Sequence, residues 1–207
     1  MVDTINPQTP RLHICRALSE EQFRAAALFI FQRFFSNFAA APPPPEIIFA
    51  AFQETGEVVG TLAVDLGRAE HPLPFEHVYA YDPAALPFKC LREETAQFGC
   101  WGATNLLASP ALIFAAVGYA LQVGKTYGWC ILKPYACERL RAIGVKLYEV
   151  PSTLILANVS KEYAPYFLAP PIPEIYMVEL PQVYRVVSLL THEHIANGAL
   201  TVVLPAN

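Results

Sequence analysis

Three consecutive segments decide the fold of this chain, and they read ETAQFGCWGA (Glu94–Ala103), SPALIFAAVGYALQVGK (Ser109–Lys125) and YGWCIL (Tyr127–Leu132). The first and the last are apolar runs of strand length. The middle segment opens with a Ser-Pro pair, which is typical of a helix start, and its apolar residues predict a helix that is buried on most sides. A strand, a helix and a strand in this order predict two parallel strands joined by a right-handed crossover.

The middle segment is also the place to look for a membrane span. No charged residue occurs between Thr95 and Gly124. The helix predicted from Ser109 nevertheless holds only about fifteen residues, whereas about twenty are needed to cross a bilayer. The N-terminal stretch Met1–Cys15 has no basic region followed by an apolar core, so it predicts no signal peptide. We therefore expect a cytoplasmic globular protein.

The segments on either side extend this unit into a larger sheet. Upstream, the patterns predict a strand at Arg11–Ala17, a helix at Glu20–Phe38, and hairpin strands at Glu46–Gln53 and Val58–Leu66, followed by an irregular excursion at Gly67–Lys89. Downstream, they predict a helix at Pro134–Ile143, a strand at Lys146–Leu156 that is interrupted by Pro151, an apolar run at Glu174–Leu180 and a helix-like stretch at Gln182–Ala196. We predict one domain over residues 1–207 of the α/β class, with a mixed (α+β) central sheet and helices on both faces. Residues 157–207 are expected to complete or cap that sheet.

The composition limits the classes of function. Of the 207 residues, 54% are hydrophobic and only 15% are charged, against about 25% charged in typical soluble domains. This composition excludes a disordered chain, and the net charge of −4 argues against a broad nucleic-acid-binding face. Because charges are so few, apolar surface is expected to remain exposed on a folded monomer. We expect a homodimer, an apolar ligand or peripheral contact with a membrane to cover that surface.

The cysteines and histidines predict neither a metal site nor a disulfide framework. The five cysteines include no CxxC pair and no zinc-ligand spacing, so buried reduced thiols are the ordinary interpretation. Cys100 and Cys130 have no adjacent base and are not predicted to be nucleophiles. His192 and His194 lie two residues apart, so they do not share one face of a helix. We expect no metal and no bound cofactor.

Three short motifs carry a family resemblance, and they are VVGTLAVDLG (Val58–Gly67), ETAQFG (Glu94–Gly99) and KPYACERLRAIGVKLYE (Lys133–Glu149). Together they resemble the autoinducer-synthase-like branch of the GNAT acyltransferase fold. That branch includes the acyl-homoserine-lactone synthases and the long-chain N-acyl amino acid synthases, and the thermostable-haemolysin family is similar to it. The residues that match are Gly60, Thr61, Leu62, Glu94, Phe98, Pro134, Arg139, Leu140 and Gly144.

The resemblance implies an activity as well as a fold. It implies a GNAT-like core over residues 11–156 and an N-acyltransferase that takes a medium or long acyl chain from an acyl carrier protein thioester. The implied acceptor is an amine of an amino acid or a similar molecule, and acyl-CoA is the alternative co-substrate. The segment CWGATNLLASP (Cys100–Pro110) lacks the glycine-rich phosphate cradle of GNAT enzymes that use acetyl-CoA, which agrees with a carrier-protein donor.

The sequence departs from the family pattern at one position. The arginine of the family's Glu-x-x-Arg strand falls on Gln97. An uncharged amide cannot make the bidentate, charge-assisted contact that an arginine makes with a carboxylate. Either the acceptor differs from those of the family, or activity is reduced or lost.

N-acylation from a thioester needs a base for the amine, a donor for the oxyanion and a channel for the acyl chain. Glu94 is the candidate base, with Gln97 beside it at the family's arginine position. A bulge at Gly99 would free a backbone N–H for the oxyanion. The predicted catalytic residues are therefore Glu94, Gln97 and Gly99. The predicted substrate-binding residues are Arg33, Phe34, Phe35, Thr95, Phe98 and Trp101.

Two other functions remain open at the level of sequence. One is a non-catalytic lipid-binding or membrane-interacting protein on the same fold, which would explain Gln97 and the low charge. The other is an acetyl-CoA-dependent N-acetyltransferase. A channel between parted central strands would favour the acyltransferase, and a closed interior would favour the non-catalytic protein.

Overall fold

The structure is a computed structural model that describes residues 11–43 and 45–204. Its strands are β1 (Leu12–Arg16), β2 (Ile47–Gln53), β3 (Val58–Leu66), β4 (Tyr79–Tyr81), β5 (Thr95–Ala103), β6 (Tyr127–Leu132), β7 (Tyr148–Glu149), β8 (Ser152–Leu154), β9 (Glu174–Glu179) and β10 (Leu200–Val203). Its α-helices are α1 (Glu20–Phe38), α2 (Pro74–Val78), α3 (Ala108–Gln122), α4 (Pro134–Ala142), α5 (Ala164–Leu168) and α6 (Leu180–Ala196). Short 3₁₀ turns occur at Pro83–Ala85, Arg92–Glu94 and Leu156–Asn158.

Eight of the strands form one mixed sheet in the order β10-β1-β2-β3-β5-β6-β9-β7. The pairs β5–β6 and β1–β10 are parallel, and the other neighbours are antiparallel. The parallel β5–β6 pair is joined through α3, which confirms the predicted crossover. β4 and β8 form a separate two-stranded sheet.

Helices cover both faces of the large sheet, as predicted. Side chains of β2 alternate, so that Phe49 packs with α3, α4 and α6 on one face while Ile48 packs with α1 on the other. α2 and α5 cover the second half of that other face. α3 is buried on nearly all sides, because α6 packs against its outer surface and Phe114 stacks on Tyr184 at 4.9 Å. Within the described ranges, no helix is both long and apolar enough to cross a membrane.

Local chemistry explains the limits of α1 and of the first hairpin. Ser19 caps α1 by accepting a hydrogen bond from the Gln22 N–H, and the Gln22 side chain accepts from the Ser19 N–H in return. The helix ends at Ala39, whose φ of 51° is left-handed. Gly56 has a φ of 82° in the turn between β2 and β3, and glycine adopts that angle without steric cost.

Three predicted elements differ from the observed ones. The strand predicted at Lys146–Leu156 is interrupted at Pro151 as expected, because proline cannot donate to a ladder, but its two pieces, β7 and β8, belong to different sheets. The excursion at Gly67–Lys89 is not irregular throughout, since it contains α2 and β4. Glu94 closes a 3₁₀ turn, and β5 begins one residue later.

The C-terminal residues are built into the sheet. β9 lies between β6 and β7, and β10 pairs with β1 at the opposite edge. α6 connects β9 to β10 along the chain and packs against α3. Chain that follows residue 156 therefore supplies the strand at one edge of the sheet, β10, and the strand next to the opposite edge, β9.

Candidate functional site

A β-bulge in β5 lies at the middle of the molecule. Thr61 of β3 pairs with Gly102 and Ala63 pairs with Gly99, so two residues of β5, Cys100 and Trp101, lie opposite the single residue between them. Cys100 has a φ of 49°, which is uncommon for a residue other than glycine. The Thr61 hydroxyl donates to the Cys100 carbonyl oxygen at 3.1 Å and holds the bulge in place.

Beyond this point β5 and β6 part. The two strands pair from Thr95 with Tyr127 to Phe98 with Cys130, and the pairing stops there. β5 continues to Ala103 along β3 alone, and β6 continues to Leu132 along β9 alone. The facing edges of the two strands therefore carry backbone groups that the sheet does not pair.

Open space lies over the two glycines that flank the bulge. A Cβ atom built on Gly99 or on Gly102 meets no heavy atom within 4 Å. By contrast, a Cβ atom on Gly128, in the paired half of β6, comes within 2.8 Å of Val178 and 3.0 Å of Phe98. The paired half is thus closely packed, whereas the parted half leaves room for a ligand.

Aromatic side chains from α1 and from the chain around α5 pack together beside the parted strands. The Phe34 ring lies 5.3 Å from Tyr166 and 5.9 Å from Tyr163, and Tyr163 stacks on Tyr166 at 5.5 Å. The Tyr166 hydroxyl is 3.5 Å from the carbonyl oxygen of Ile131, which is too long for a strong hydrogen bond. These rings give the parted strands an apolar wall on the α1 side.

Lys133, directly after β6, is buried in the same region. Its Nζ atom donates to the carbonyl oxygens of Ala169 (2.6 Å) and Pro171 (2.8 Å), and it lies 5.1 and 4.9 Å from the ring centres of Phe38 and Tyr166. Burial lowers the pKa of this ammonium group. Within the described residues it has no carboxylate partner. Lys133 thus fastens the loop between α5 and β9 to the end of β6.

A second cavity, of about 190 Å³, lies beside the paired half of β5 and β6. Phe75 stacks on Trp129 at 4.4 Å in its wall. Glu76 accepts two hydrogen bonds of 2.9 Å from Arg92, through Nε and Nη2. The lining residues are Leu73, Phe75, Glu76, Tyr81, Pro83, Leu86, Cys90, Arg92, Thr95 and Trp129. The cavity therefore combines an aromatic wall with an ion pair.

The three predicted catalytic residues do not lie together. The half-buried Glu94 carboxylate accepts a hydrogen bond from the Leu91 N–H at 2.7 Å. Gln97 is buried, and its Oε1 atom accepts from the Phe75 N–H at 2.8 Å. Gly99 alone is at the parting. Thr95, the neighbour of Glu94, is about 13 Å from Gly99 at the usual rise of a strand.

The predicted substrate-binding residues are also divided between these regions. Thr95 lines the cavity and donates its hydroxyl to the Arg92 carbonyl oxygen at 2.7 Å. Phe98 is buried at the last β5–β6 pair, Trp101 is in the bulge, and Phe34 is in the aromatic wall. Arg33 and Phe35 are exposed on α1.

Sequence reasoning missed Lys133, Tyr163 and Tyr166. A lysine that ends an apolar strand was a visible signal for the first of these. The two tyrosines, three residues apart, occur in a tail for which no packing partner was predicted. Among the described residues, no three His, Cys, Asp or Glu side chains lie close enough to hold a metal ion.

Comparison with known proteins gives a fold but no sequence family. No family model and no curated protein matches the sequence. Among solved structures, TofI in an apo form superposes with a TM-score of 0.63 at 14% identity, over 86% of this chain and 96% of that one. BjaI, a CoA-dependent acyl-homoserine lactone synthase, superposes with a TM-score of 0.60 at 12% identity, over 96% of this chain and 95% of that one.

A third solved structure belongs to a different kind of synthase. FeeM, an N-acyl amino acid synthase from uncultured soil microbes, superposes with a TM-score of 0.56 at 14% identity, over 90% of this chain and 99% of that one. The fold of this chain is thus the GNAT-like fold of acyl-transferring synthases, as the three motifs predicted.

Proposed function

We propose that this chain is an N-acyltransferase that moves a medium or long acyl chain from a thioester to an amine. The observation that carries the proposal is the parting of β5 from β6 after Phe98 and Cys130, with open space over Gly99. An extended thioester ligand there can hydrogen-bond to the unpaired strand edges, as an added strand does. The aromatic wall on the α1 side suits an acyl chain.

The reaction needs one bond to form and one to break. The lone pair of the neutral amine attacks the thioester carbonyl carbon, a C–N bond forms, and the C–S bond breaks. The amine proton passes to a base, and the departing thiolate takes up a proton and leaves as a thiol. A backbone N–H that the bulge between Gly99 and Gly102 frees, in the parted half of β5, is the proposed donor to the oxyanion.

We place the acceptor in the cavity lined by Cys90, Thr95 and Trp129. Glu94 is half-buried and directly precedes Thr95 of the lining, so it lies at the rim of this cavity. Trp129 also lines the cavity and pairs with Gln97. Gln97 is about 7 Å from Gly99 along β5. An amine that enters from the Glu94 end can thus approach a thioester at the parting. Glu94, the proposed base, is more than about 13 Å from Gly99 along β5, so we propose that the amine proton reaches it through water in the cavity.

We propose acyl carrier protein as the source of the thioester. The first amides of α3, where a CoA diphosphate would bind, are already occupied: Asn105 Oδ1 accepts from the Leu107 N–H (2.8 Å) and from the Ala108 N–H (3.3 Å). At the other side of the parting, the positive charges of Arg33 and Arg139 both act on the Tyr135 phenol. Arg33 and Arg139 are both exposed, and we propose that they bind the phosphate of a carrier's prosthetic arm.

Product analysis tests the proposal. The purified chain is incubated with decanoyl carrier protein or decanoyl-CoA and a mixture of the twenty amino acids, and N-decanoyl products are measured by mass spectrometry against heat-denatured protein. We expect an amide product, formed at least about tenfold faster from the carrier protein. No amide from either donor would refute catalysis, and equal rates would refute the choice of donor.

A non-catalytic acyl-binding protein is the second candidate, and one observation favours it. The buried Gln97 side chain accepts a hydrogen bond from the Phe75 N–H through Oε1, so the family's arginine position serves packing here. Native mass spectrometry of freshly purified protein separates the two functions. A retained fatty acid together with no turnover would establish the binding protein.

A further inference from the structure

Trp101 carries the one buried side-chain polar atom, among those the structure describes, that has no hydrogen-bond partner. Its indole Nε1–H is shielded from solvent and has no acceptor. The other buried polar side chains near the site, Gln97, Thr95 and Lys133, all have acceptors or donors. A buried donor without an acceptor destabilises a fold, so an unpaired one in a native protein calls for an explanation.

The position of Trp101 supplies that explanation. It follows Cys100 in the bulge, in the half of β5 that has parted from β6. Its ring packs against the core on the α3 side, opposite the aromatic wall. The open positions Gly99 and Gly102 lie on either side of it along the strand.

We infer that, when an acyl donor enters the parting, the groups that shield Trp101 in the free chain move and its indole N–H binds a carbonyl oxygen of the donor, either the thioester carbonyl or an amide carbonyl of the pantetheine arm. This inference rests on the proposed function. The hydrocarbon tail of the acyl donor has no hydrogen-bond acceptor, whereas its thioester and its pantetheine arm have several carbonyl oxygens. Trp101 therefore recognises the head of the donor and does not select the length of its chain.

Replacement of Trp101 by benzothienylalanine tests the hydrogen bond, since a sulfur atom takes the place of the N–H and the ring keeps its size. Loss of one such bond raises the KM for the acyl donor about threefold to tenfold. An unchanged kcat then assigns the bond to an amide, and a kcat about a hundredfold lower assigns it to the thioester carbonyl. The KM for the amine and the order of preference among acyl lengths are expected to stay the same. Unchanged KM and kcat would overturn the inference, and Trp101→Phe provides a coded variant for the same comparison.

A binding measurement without turnover separates this inference from the proposed function. The chain has only two tryptophans, so Trp129→Phe makes Trp101 the sole indole fluorophore. The probe is the ketone analogue of decanoyl pantetheine, in which a methylene group replaces the thioester sulfur, so that the carbonyl is kept and no acyl group can be transferred. Titration with it is expected to shift the Trp101 emission in a saturable way. Binding seen by calorimetry without any change in emission would overturn the inference alone. A saturable shift in a protein that never acylates an amine would overturn only the proposed catalysis, and absence of binding would overturn both.

Discussion

At the scale of single residues, Glu94 and Gln97 show how the same motif serves both chemistry and packing. Glu94 is on the rim of the cavity, and its carboxylate also closes a 3₁₀ turn through the Leu91 N–H. Gln97 is buried and holds the Phe75 N–H. The two side chains can therefore be separated by experiment, since one change should act on turnover and the other on stability.

Glu94→Gln is expected to abolish amine acylation, with a fall in kcat of about a hundredfold or more. The amide oxygen of glutamine can still accept from the Leu91 N–H, so the free energy of unfolding should not change. Glu93→Gln, at the exposed neighbouring position, is the matched control and should retain full activity. Turnover by Glu94→Gln equal to that of the control would remove Glu94 from the mechanism.

Gln97→Met is expected to lower the free energy of unfolding by about 1–3 kcal/mol, because it leaves the buried Phe75 N–H without an acceptor. Urea denaturation measures the effect. Gln32→Met, on the exposed face of α1, controls for the replacement of glutamine by methionine and should not change the free energy of unfolding. An equal effect of the two substitutions would show that the Gln97–Phe75 hydrogen bond does not contribute to stability.

The sequence predicted which residues belong to the motifs better than it predicted their hydrogen-bond partners. The Glu94 motif and the bulge-prone glycines could be identified because a local pattern contains them. The partner of Gln97 could not, since Phe75 lies 22 residues earlier in a segment whose short helix has no strong periodicity. Glu94 was assigned to the strand because its neighbours are apolar, but the turn at Arg92–Glu94 is stabilised by the Glu94 side chain itself.

At the scale of elements, α5 is held against the sheet by Lys133 and by the buried rings of Tyr166 and Phe167. The Nζ atom donates to two carbonyl groups of the loop that follows α5, and the Tyr166 ring lies beneath it. Direct contact between α5 and α1 is limited to a few aromatic rings. The stability of the wall beside the parted strands should therefore depend on this ammonium group as well as on the aromatic packing.

Lys133→Met is expected to increase hydrogen exchange of the α5 amides by about tenfold or more, since the loop carbonyls lose their donor and α5 opens locally. Amides of α3, on the opposite face, should exchange at the wild-type rate. Lys161→Met, at an exposed position just before α5, is the control. Unchanged protection of α5 in Lys133→Met would show that the aromatic contacts alone hold it.

The order of elements was predictable, and the departures from it have physical causes. The crossover from β5 through α3 to β6 follows from two apolar runs around a helix with a clear start. Pro151 divided a predicted strand into β7 and β8, and their distribution over two sheets depends on β4 and β9, which are remote in sequence. Such pairings are set by tertiary contacts that no local pattern contains.

At the scale of the whole molecule, the low content of charge leaves apolar surface on α1. Leu28, Phe31 and Phe35 are 55%, 46% and 57% exposed, and the two phenylalanines stack on each other at 5.6 Å. These side chains line one exposed face of a helix. Pairing of two copies of this face would cover it.

We expect the chain to sediment as a homodimer at tens of micromolar and Phe35→Ser to weaken that association. Leu189→Ser, at an exposed position on α6, is the control and should leave the sedimentation coefficient unchanged. A monomeric wild-type chain at this concentration would contradict the predicted dimer. Dissociation by Leu189→Ser alone would place the interface on α6.

The central claim is that the parted half of β5 and β6 holds the head of an acyl donor, and calorimetric titration with the ketone analogue of decanoyl pantetheine tests it most directly. Gly99→Ala and Gly99→Val place side chains of increasing size in the open space beside the bulge, where the fold has room for them. The account predicts binding to the wild-type chain and at least about tenfold weaker binding to Gly99→Val, with Gly99→Ala between them and the urea midpoints equal. Equal affinity for all three chains, or no binding to the wild-type chain, would contradict it.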